Sequence, residues 1–286
     1  MNSNRDKVII ENATKLLDCK RSGNWQACNT PPSRVVLTKI VGLISEVIFP
    51  EYLMDCSVEM SQHRVSINLE QIYMLLSDQI ERALHFKQLS DCKENSTACA
   101  TEITERFIET IPAIKALLTS DVEAMYKADP AATSYAEVVL CYPSIVAMTH
   151  HRIAHSLHRL SVPIIPRIIG EVAHAKCGID IHPGATIGSH FAIDHGTGVV
   201  IGETTIIGTN VVVYQGVTLG AKGFRFDADG NVINIPRHPI IEDNVRIYSN
   251  SSILGRITIG HDSIIGGNMW IDKDIAPHSK ISKSML

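Results

Sequence analysis

The sequence has few aromatic residues, no paired-cysteine motif and no long apolar run, and each absence excludes a class of protein. Aromatic residues make up 5% of the 286 residues, so the core has to be built from aliphatic side chains. The seven cysteines never form a Cys-x-x-Cys pair, which excludes a compact disulfide framework and predicts reduced thiols in a cytosolic protein. The chain has no apolar run of the ~18 residues that a membrane helix needs, its N-terminus lacks the layout of a signal peptide, and we expect a cytoplasmic protein. A net charge of -4 does not favour binding to nucleic acid or to a membrane surface.

The first part of the chain has the spacing of amphipathic helices. Apolar side chains recur every three or four residues in two stretches, Val36, Ile40, Leu43, Ile44 and Val47, and then Leu69, Ile72, Leu76, Ile80 and Leu84. The segment Ser120-Asp-Val-Glu123 has the form of a capping box and predicts that a further short helix begins there. We therefore expect an all-helical N-terminal domain over residues 1–176.

The second part of the chain has a period of six that neither a helix nor a flat strand produces. Aliphatic anchors stand six residues apart in three phases, at Ile181, Ile187, Ile193, then Ile201, Ile207, Val213, Leu219, then Ile241, Ile247, Ile253, Ile259, Ile265 and Ile271. In such a hexapeptide repeat, three short strands form one triangular coil of roughly 18 residues, and each anchor points inward. The pattern predicts a parallel β-helix of about four to five coils over 177–275, a loop insertion at 222–239 and a short tail at 276–286.

Several motifs in the repeat region resemble those of serine acetyltransferases. The segment Gly178-Ile-Asp-Ile-His-Pro183 is followed by Ile193-Asp-His-Gly-Thr-Gly198 at the family's interval, and Gln215-Gly-Val-Thr-Leu-Gly220 and Arg237-His-Pro239 match further downstream. Ala128-Asp-Pro-Ala131 in the helical part matches as well. The resemblance implies an α+β protein whose helical domain precedes a left-handed parallel β-helix, and an acetyl transfer from acetyl-coenzyme A to the hydroxyl of L-serine.

The resemblance also implies the catalytic pair. A serine hydroxyl is a weak nucleophile and needs a base, and a histidine suits that task near neutral pH. His195 is the candidate base. Asp180 precedes it by fifteen residues, slightly less than one coil, so the two belong to neighbouring rungs. In the family, the aspartate at this position orients the histidine.

The substrate contacts follow from the charges of serine and from the same resemblance. Asp129 and Asp194 are candidates to bind the ammonium group and Arg237 to bind the carboxylate, and the family match implies that His238 contacts serine as well. The resemblance places acetyl-coenzyme A along a solenoid edge between neighbouring subunits, in contact with Gly220, Ala221, Lys222, Ser249 and Gly267. The oxyanion that develops during the reaction needs a hydrogen-bond donor, and the candidate is a backbone N–H near Gly220 or Ala221.

The family resemblance implies partners and regulation as well. Solenoids of this kind associate into trimers, helical domains pair trimers into hexamers, and L-cysteine inhibits by occupying the serine site. Family members dock a tail ending in Ile into cysteine synthase, whereas this chain ends in Ser284-Met-Leu286 soon after the last coil. A complex with cysteine synthase is therefore left open.

Two features depart from simpler family patterns. The stretch 223–236 is longer than the glycine-rich link of many relatives, and Asp229-Gly230 within it predicts a hairpin. The histidines His150, His151, His155 and His158 have helical spacing without a nearby carboxylate, which favours a polar helix face over a metal site.

Three alternatives have to be separated from serine acetylation. The first is a hexapeptide acetyltransferase for another hydroxyl acceptor, such as a sugar. The second is a γ-type carbonic anhydrase, in which His190 and His195 would be two of three zinc ligands, although the region that should supply the third is helical here. The third is a scaffold without catalysis, which would not need Asp180, Asp194, His195 and Arg237 together.

Overall fold

A computed structural model of the chain describes residues 3–18, 30–54, 58–86, 96–223, 226–233 and 235–282. Helices occupy the first part, as expected, and the last of them ends at Cys177. The helices are α1 (Ser3–Asp18), α2 (Arg34–Ile48), α3 (Pro50–Leu53), α4 (Val58–Phe86), α5 (Ser96–Ala128), α6 (Tyr135–Cys141), α7 (Pro143–Arg159) and α8 (Ile165–Cys177).

The two stretches with helical spacing are helices α2 and α4, and their apolar faces form the centre of the helical core. Ser33 caps α2 by accepting a hydrogen bond from the backbone N–H of Val36. Ile40 and Ile44 of α2 and Ile72 and Leu76 of α4 are almost completely buried. The pattern was sufficient here because each helix buries one continuous stripe.

The capping-box prediction at Ser120 was wrong, because α5 continues through it from Ser96 to Ala128. The Ser120 hydroxyl donates to the carbonyl of Leu117 and accepts the backbone N–H of His190. Asp121 is fully buried and forms hydrogen bonds of 3.0–3.1 Å with Arg152 of α7. These side chains join the helical part to the solenoid instead of starting a helix.

The four histidines predicted to form a polar face of α7 differ in their exposure, and the first two are buried. His150 and His151 are 7% and 3% exposed. Nδ1 of His155 lies 2.8 Å from the carbonyl of Pro183, and the ring of His158 meets that of His182 edge to face. His155 and His158 therefore contact the first coil of the solenoid, and His158 stays exposed, whereas His150 and His151 are buried among the helices.

The solenoid has three parallel sheets, which we call faces 1, 2 and 3. Face 1 contains β1 (Asp180–Ile181), β4 (Val200–Ile201), β7 (Thr218–Gly220), β10 (Ser252–Leu254) and β13 (Trp270–Ile271). Face 2 contains β2 (Thr186–Ile187), β5 (Ile206–Ile207), β8 (Ile240–Ile241) and β11 (Thr258–Ile259). Face 3 contains β3 (Ala192–Asp194), β6 (Val212–Tyr214), β9 (Arg246–Ile247), β12 (Ile264–Ile265) and β14 (Lys280–Ile281).

The predicted anchors fill the interior of this prism. Ile193, Leu219, Ile247 and Ile265 are at most 1% exposed, and the remaining anchors are also buried. The chain makes about five coils, and pairing continues past the predicted boundary at residue 275, since Lys280 and Ile281 pair with Ile264 and Ile265. Residues 283–286, which carry the tail discussed above, lie outside the described residues.

The prism has three edges, each named after the two faces that the chain connects there. Edge 3/1 follows the strands of face 3, edge 1/2 follows those of face 1, and edge 2/3 follows those of face 2. The long insertion lies at edge 1/2, between β7 and β8, and it contains the predicted hairpin, with Phe226 paired antiparallel to Val232. In the part of the chain that the structure describes, we find no helix with both the length and the apolar character needed for a membrane crossing.

Candidate active site

His195 stands at a sharp corner on edge 3/1, directly after β3. Its backbone is left-handed, with φ of 58°, and Gly196 follows with φ of 85°. A side chain at position 196 would place its Cβ 2.5 Å from Ile179, so this corner requires glycine. The turn lifts the imidazole away from the solenoid, and its side chain is 73% exposed. An imidazole in this position is accessible to a ligand.

Three oxygen-bearing side chains surround this corner. Nε2 of His195 lies 4.0 Å from the Asp194 carboxylate. The hydroxyl of Tyr142 donates to Asp129 at 2.6 Å, and the backbone N–H of Ala131 donates to the same carboxylate at 2.8 Å. These bonds lower the pKa of Asp129, with a smaller contribution from the charge of His195. Partial burial raises the pKa of Asp194, while His195 lowers it and Asp129 raises it further.

Asp180 lies one rung below, on face 1, beside Val200. The backbone N–H of Gly198 donates to the carbonyl of Gly178 at 2.8 Å, which stacks the corner of His195 on the segment that leads to Asp180. The Asp180 carboxylate lies within 4.8 Å of the ligand atoms of Glu171 and His174 of α8. Within the described residues, no hydrogen bond or ion pair joins Asp180 to His195. The exposed imidazole has no fixed partner on this side.

A second polar group lies on edge 1/2 and contains the other predicted substrate residues. Arg237 pairs with Glu203 at 2.5 Å. Burial raises the pKa of Glu203, but the hydrogen bond from Arg237 and the neighbouring cationic groups lower it by more, so its pKa lies below the ordinary value. His238 is 7% exposed, and its Nδ1 accepts the backbone N–H of Thr204 at 3.1 Å. Burial, followed by the charge of Arg237, lowers the pKa of His238.

The insertion covers a cavity of about 440 Å³ beside this second group. Lys222 and Arg237 line it with Asp272, and Ile233 and Leu254 supply apolar surface. Lys222 pairs with Asp272 at 2.8 Å. The cavity therefore combines cationic and apolar surface next to the arginine proposed for the substrate carboxylate.

The predicted site residues are thus divided between two edges of one chain. Edge 3/1 carries His195, Asp194, Ser249 and Gly267, and Asp129 approaches it from the end of α5. Edge 1/2 carries Gly220, Ala221, Lys222, Arg237 and His238. Face 1 separates the two edges, so the structure brings together the members of each group but not the two groups.

Two polar partners were missed in the sequence analysis. Tyr142 had no motif that marked it, and its role depends on a contact across thirteen residues. Glu203 received no role, because nothing in the sequence shows that Arg237 reaches it over 34 residues. The first pair joins the ends of helices and the second joins neighbouring coils, so both become visible only in the fold.

The carbonic anhydrase alternative does not fit these positions. His190 lies on edge 2/3 beside Glu123, at 3.6 Å, and β3 separates it from His195 on edge 3/1. Among the described residues, the groups whose ligand atoms converge on a common point include neither of these histidines. The two rings therefore do not share a metal position within this chain.

Comparisons with known proteins all find serine acetyltransferases among the similar chains. A family model described as "Serine acetyltransferase, N-terminal" matches residues 60–148. A plasmid-encoded serine acetyltransferase of Synechococcus elongatus is 46% identical over 263 residues, which is 89% of this chain and 82% of that protein. The crystal structure of Entamoeba histolytica serine acetyltransferase 1 in complex with L-cysteine has a TM-score of 0.73 and 34% identity, and covers 85% of both chains. A Neisseria gonorrhoeae serine acetyltransferase in complex with serine has a TM-score of 0.56 and 26% identity, over 85% of this chain and 94% of that one.

Proposed function

The chain belongs to the serine acetyltransferase family and transfers an acetyl group to L-serine, and we propose that His195 on edge 3/1 is the base of this reaction. The observation that carries the proposal is the exposed imidazole, presented by a left-handed corner and flanked by Asp194 and Asp129. The family's reaction supplies O-acetylserine to cysteine biosynthesis. A cytosolic location is part of this proposal, as the setting in which the reduced thiols expected from the sequence persist.

The proposed reaction is a direct attack on the thioester. His195 removes the proton from the serine hydroxyl as its oxygen attacks the acetyl carbonyl carbon of acetyl-coenzyme A. The C–S bond then breaks, and the coenzyme A thiolate leaves and takes up the proton that His195 holds. Asp180 orients the ring once the imidazole rotates toward it, and stabilises the imidazolium. A backbone N–H near Gly220 or Ala221 is the proposed donor to the oxyanion.

The charged groups fit the two ends of serine. Asp194 and Asp129 would accept the ammonium group, and both carboxylates lie next to the proposed base. Arg237 would bind the carboxylate, with Glu203 fixing the guanidinium and His238 held by Thr204. A sugar acceptor has neither charge, so these residues support an amino-acid substrate over another hydroxyl acceptor.

The division of the site between two edges supports an assembly in which copies of the chain share it. Edge 3/1 of one copy would meet edge 1/2 of its neighbour, which unites His195 with Arg237. The proposed coenzyme contacts are divided in the same way, with Ser249 and Gly267 on one edge and Gly220, Ala221 and Lys222 on the other. A ring of three copies gives every copy the same pair of contacts, and we propose a trimer whose helical parts pair trimers into hexamers.

L-cysteine is the proposed feedback inhibitor. It carries the ammonium and carboxylate of serine, and the related Entamoeba enzyme was crystallised with L-cysteine. The same residues, Asp194, Asp129 and Arg237, would therefore bind it in place of serine. Association with cysteine synthase would depend on the tail beyond residue 282, which lies outside the described residues.

One assay tests the substrate and the base together. Thiol release from acetyl-coenzyme A is measured with L-serine, homoserine and a sugar, using the native chain and His195→Asn. Asparagine tolerates the left-handed backbone of this corner, so the variant should keep its fold in thermal unfolding. We expect a clear preference for L-serine and a loss of about 10²–10⁴ in turnover for the variant. Near-normal turnover of the variant would remove His195 from the mechanism, and equal rates with a sugar would contradict the substrate.

A further inference from the structure

Edge 2/3 lies apart from both halves of the proposed active site and has a regular structure of its own. Each rung turns through one left-handed residue with φ of 57–59°, at His190, Asn210, Asn244, Asp262 and His278. The backbone N–H of each of the last four donates to a carbonyl of the rung below. Side chains in this column therefore leave the solenoid in register, one above the other.

At the C-terminal end of this column, two imidazoles and a carboxylate converge. Nδ1 of His261 lies 2.7 Å from Oδ2 of Asp262, and Nδ1 of His278 lies 3.8 Å from the same oxygen. The two rings meet edge to face with centroids 4.8 Å apart. The nearest nitrogen or oxygen atoms of the three residues all lie within 4.8 Å of one another.

The groups around these three residues favour a cation. Asn244 donates to Oδ1 of Asp262 at 3.1 Å, which orients the carboxylate and leaves Oδ2 facing the rings. Glu242 accepts the backbone N–H of His261 at 2.8 Å and adds a second negative charge nearby. A cavity of about 480 Å³, lined by Glu242, Asp243, His261 and Asp262, opens beside the group.

We propose that His261, Asp262 and His278 bind one divalent transition-metal ion, with zinc as the best match, and that water completes its coordination. Two imidazole nitrogens and one carboxylate oxygen are ligands that zinc accepts, and bonds of 2.0–2.1 Å place neighbouring ligand atoms roughly 3.4 Å apart. The side chains are 45%, 41% and 70% exposed, so they are free to close from their present separations by small rotations.

The ion would have a structural task rather than a catalytic one. His261 and Asp262 precede β12, whereas His278 precedes β14 in the last coil. A shared ion would tie the last coil to the one below it, at the end of the solenoid where only one neighbouring coil supports the strands. Binding to the folded chain alone raises the unfolding temperature. Acetyl transfer on the other two edges would not depend on the ion.

The test uses untagged full-length protein freed of metal by a chelator. Zinc binding is measured by calorimetry and by the shift in the thermal unfolding midpoint, and Co²⁺ replaces zinc to report coordination geometry through its visible absorption. His278→Asn and Asp262→Asn each remove one ligand. Asparagine suits both positions, because Asn210 and Asn244 already adopt the same left-handed conformation in this column. His190→Asn is the matched control, since His190 occupies the same column without a second imidazole beside it.

The native chain and the control should bind one zinc ion with micromolar affinity or better, with a higher unfolding midpoint and tetrahedral Co²⁺ bands. His278→Asn and Asp262→Asn should bind at least tenfold more weakly and lose the bands, while acetyl transfer stays constant with and without chelator. The proposal is overturned if the native chain binds zinc no better than His278→Asn, or if the control loses binding equally.

Discussion

At the scale of single residues, the site depends on contacts that hold charged side chains in place before substrate arrives. Arg237 is 22% exposed and Glu203 28%, so their ion pair is only partly screened by water. A guanidinium fixed in this way loses little conformational freedom when it binds a carboxylate. We therefore propose that Glu203 acts on the substrate through Arg237, as a positioning residue.

This role predicts a specific kinetic change in Glu203→Gln. The glutamine keeps the length of the side chain but loses its charge, so Arg237 is less well oriented and serine binds more weakly. We expect the KM for serine to rise about tenfold, equivalent to ~1.4 kcal/mol, with a smaller change in kcat. Steady-state kinetics at varied serine measure this, and the KM for acetyl-coenzyme A serves as the internal control. A fall in kcat with unchanged KM would show that Glu203 acts otherwise.

Candidate residues for this site could be named from the sequence, but their partners in the fold could not. His195, Asp194 and Arg237 stood out because their chemistry fits an amino-acid alcohol and their motifs match. Asp121 was mistaken for part of a helix start, since the local pattern cannot show that Arg152 lies beside it in the fold. A buried ion pair between two helices has no signature in either helix alone.

At the scale of elements, the junction between α7 and the first coil is held by imidazoles that must stay neutral. His151 is buried, and its Nδ1 has no hydrogen-bond partner among the described residues. Burial is the main cause that lowers the pKa of His151, of His155 and of His182, the last to about 4. Protonating any of them would place a charge in a partly dehydrated junction.

The junction should therefore weaken in mild acid. A histidine whose pKa falls from 6.5 in the unfolded chain to about 4 in the folded one binds more protons when unfolded, within that interval of pH. The stability contributed by the neutral rings is complete above pH 6.5 and is lost as the pH falls toward 4. We expect the thermal unfolding midpoint to drop progressively between these values.

A variant isolates this effect from general acid unfolding. His182→Asn keeps an acceptor for the backbone N–H of Gly184, which now donates to Nδ1 of His182 at 2.9 Å, but cannot be protonated. Its midpoint should depend less steeply on pH than that of the native chain, whereas His63→Asn, on an exposed face of α4, should not change the slope. Identical slopes in all three proteins would mean that His182 plays no part.

The solenoid elements were predictable because their constraint is local and repeated. Every coil needs an aliphatic side chain at the same three inward positions, so a period of six alone located the strands. The end of the solenoid was placed too early, at residue 275, because the anchors change phase after Ile271: Ile275 follows it by four residues, and Ile281 then follows Ile275 by six. Periodicity identifies the repeats well and their terminal coil poorly.

At the scale of the whole molecule, the proposed sharing of the site between copies predicts complementation. His195→Asn damages edge 3/1 and Arg237→Gln damages edge 1/2, so each protein alone should be nearly inactive. If the variants are unfolded together and refolded as mixed trimers, some sites combine an intact edge from each. Random mixing at equal amounts should restore roughly one quarter of native activity.

The matched control combines two defects on the same edge. His195→Asn mixed with Asp194→Asn cannot form an intact edge 3/1 in any copy, so this mixture should stay inactive. Equal recovery in both mixtures, or none in either, would contradict a site divided between edges 3/1 and 1/2. The sequence could not have revealed this division, because it depends on which edges of the prism the residues reach.

The position of the insertion has a consequence for how such a chain tolerates added sequence. Val200 pairs with Thr218 and Ser252 with Trp270, steps of 18 residues, whereas Thr218 pairs with Ser252, a step of 34. The 16 additional residues leave the register intact on either side, because both strands that flank the hairpin keep their places in the stack. A foreign peptide grafted into this insertion, such as an epitope or a fluorescent reporter, should therefore leave the spacing of the coils unchanged. The grafted segment would lie over the opening of the cavity that Arg237 lines.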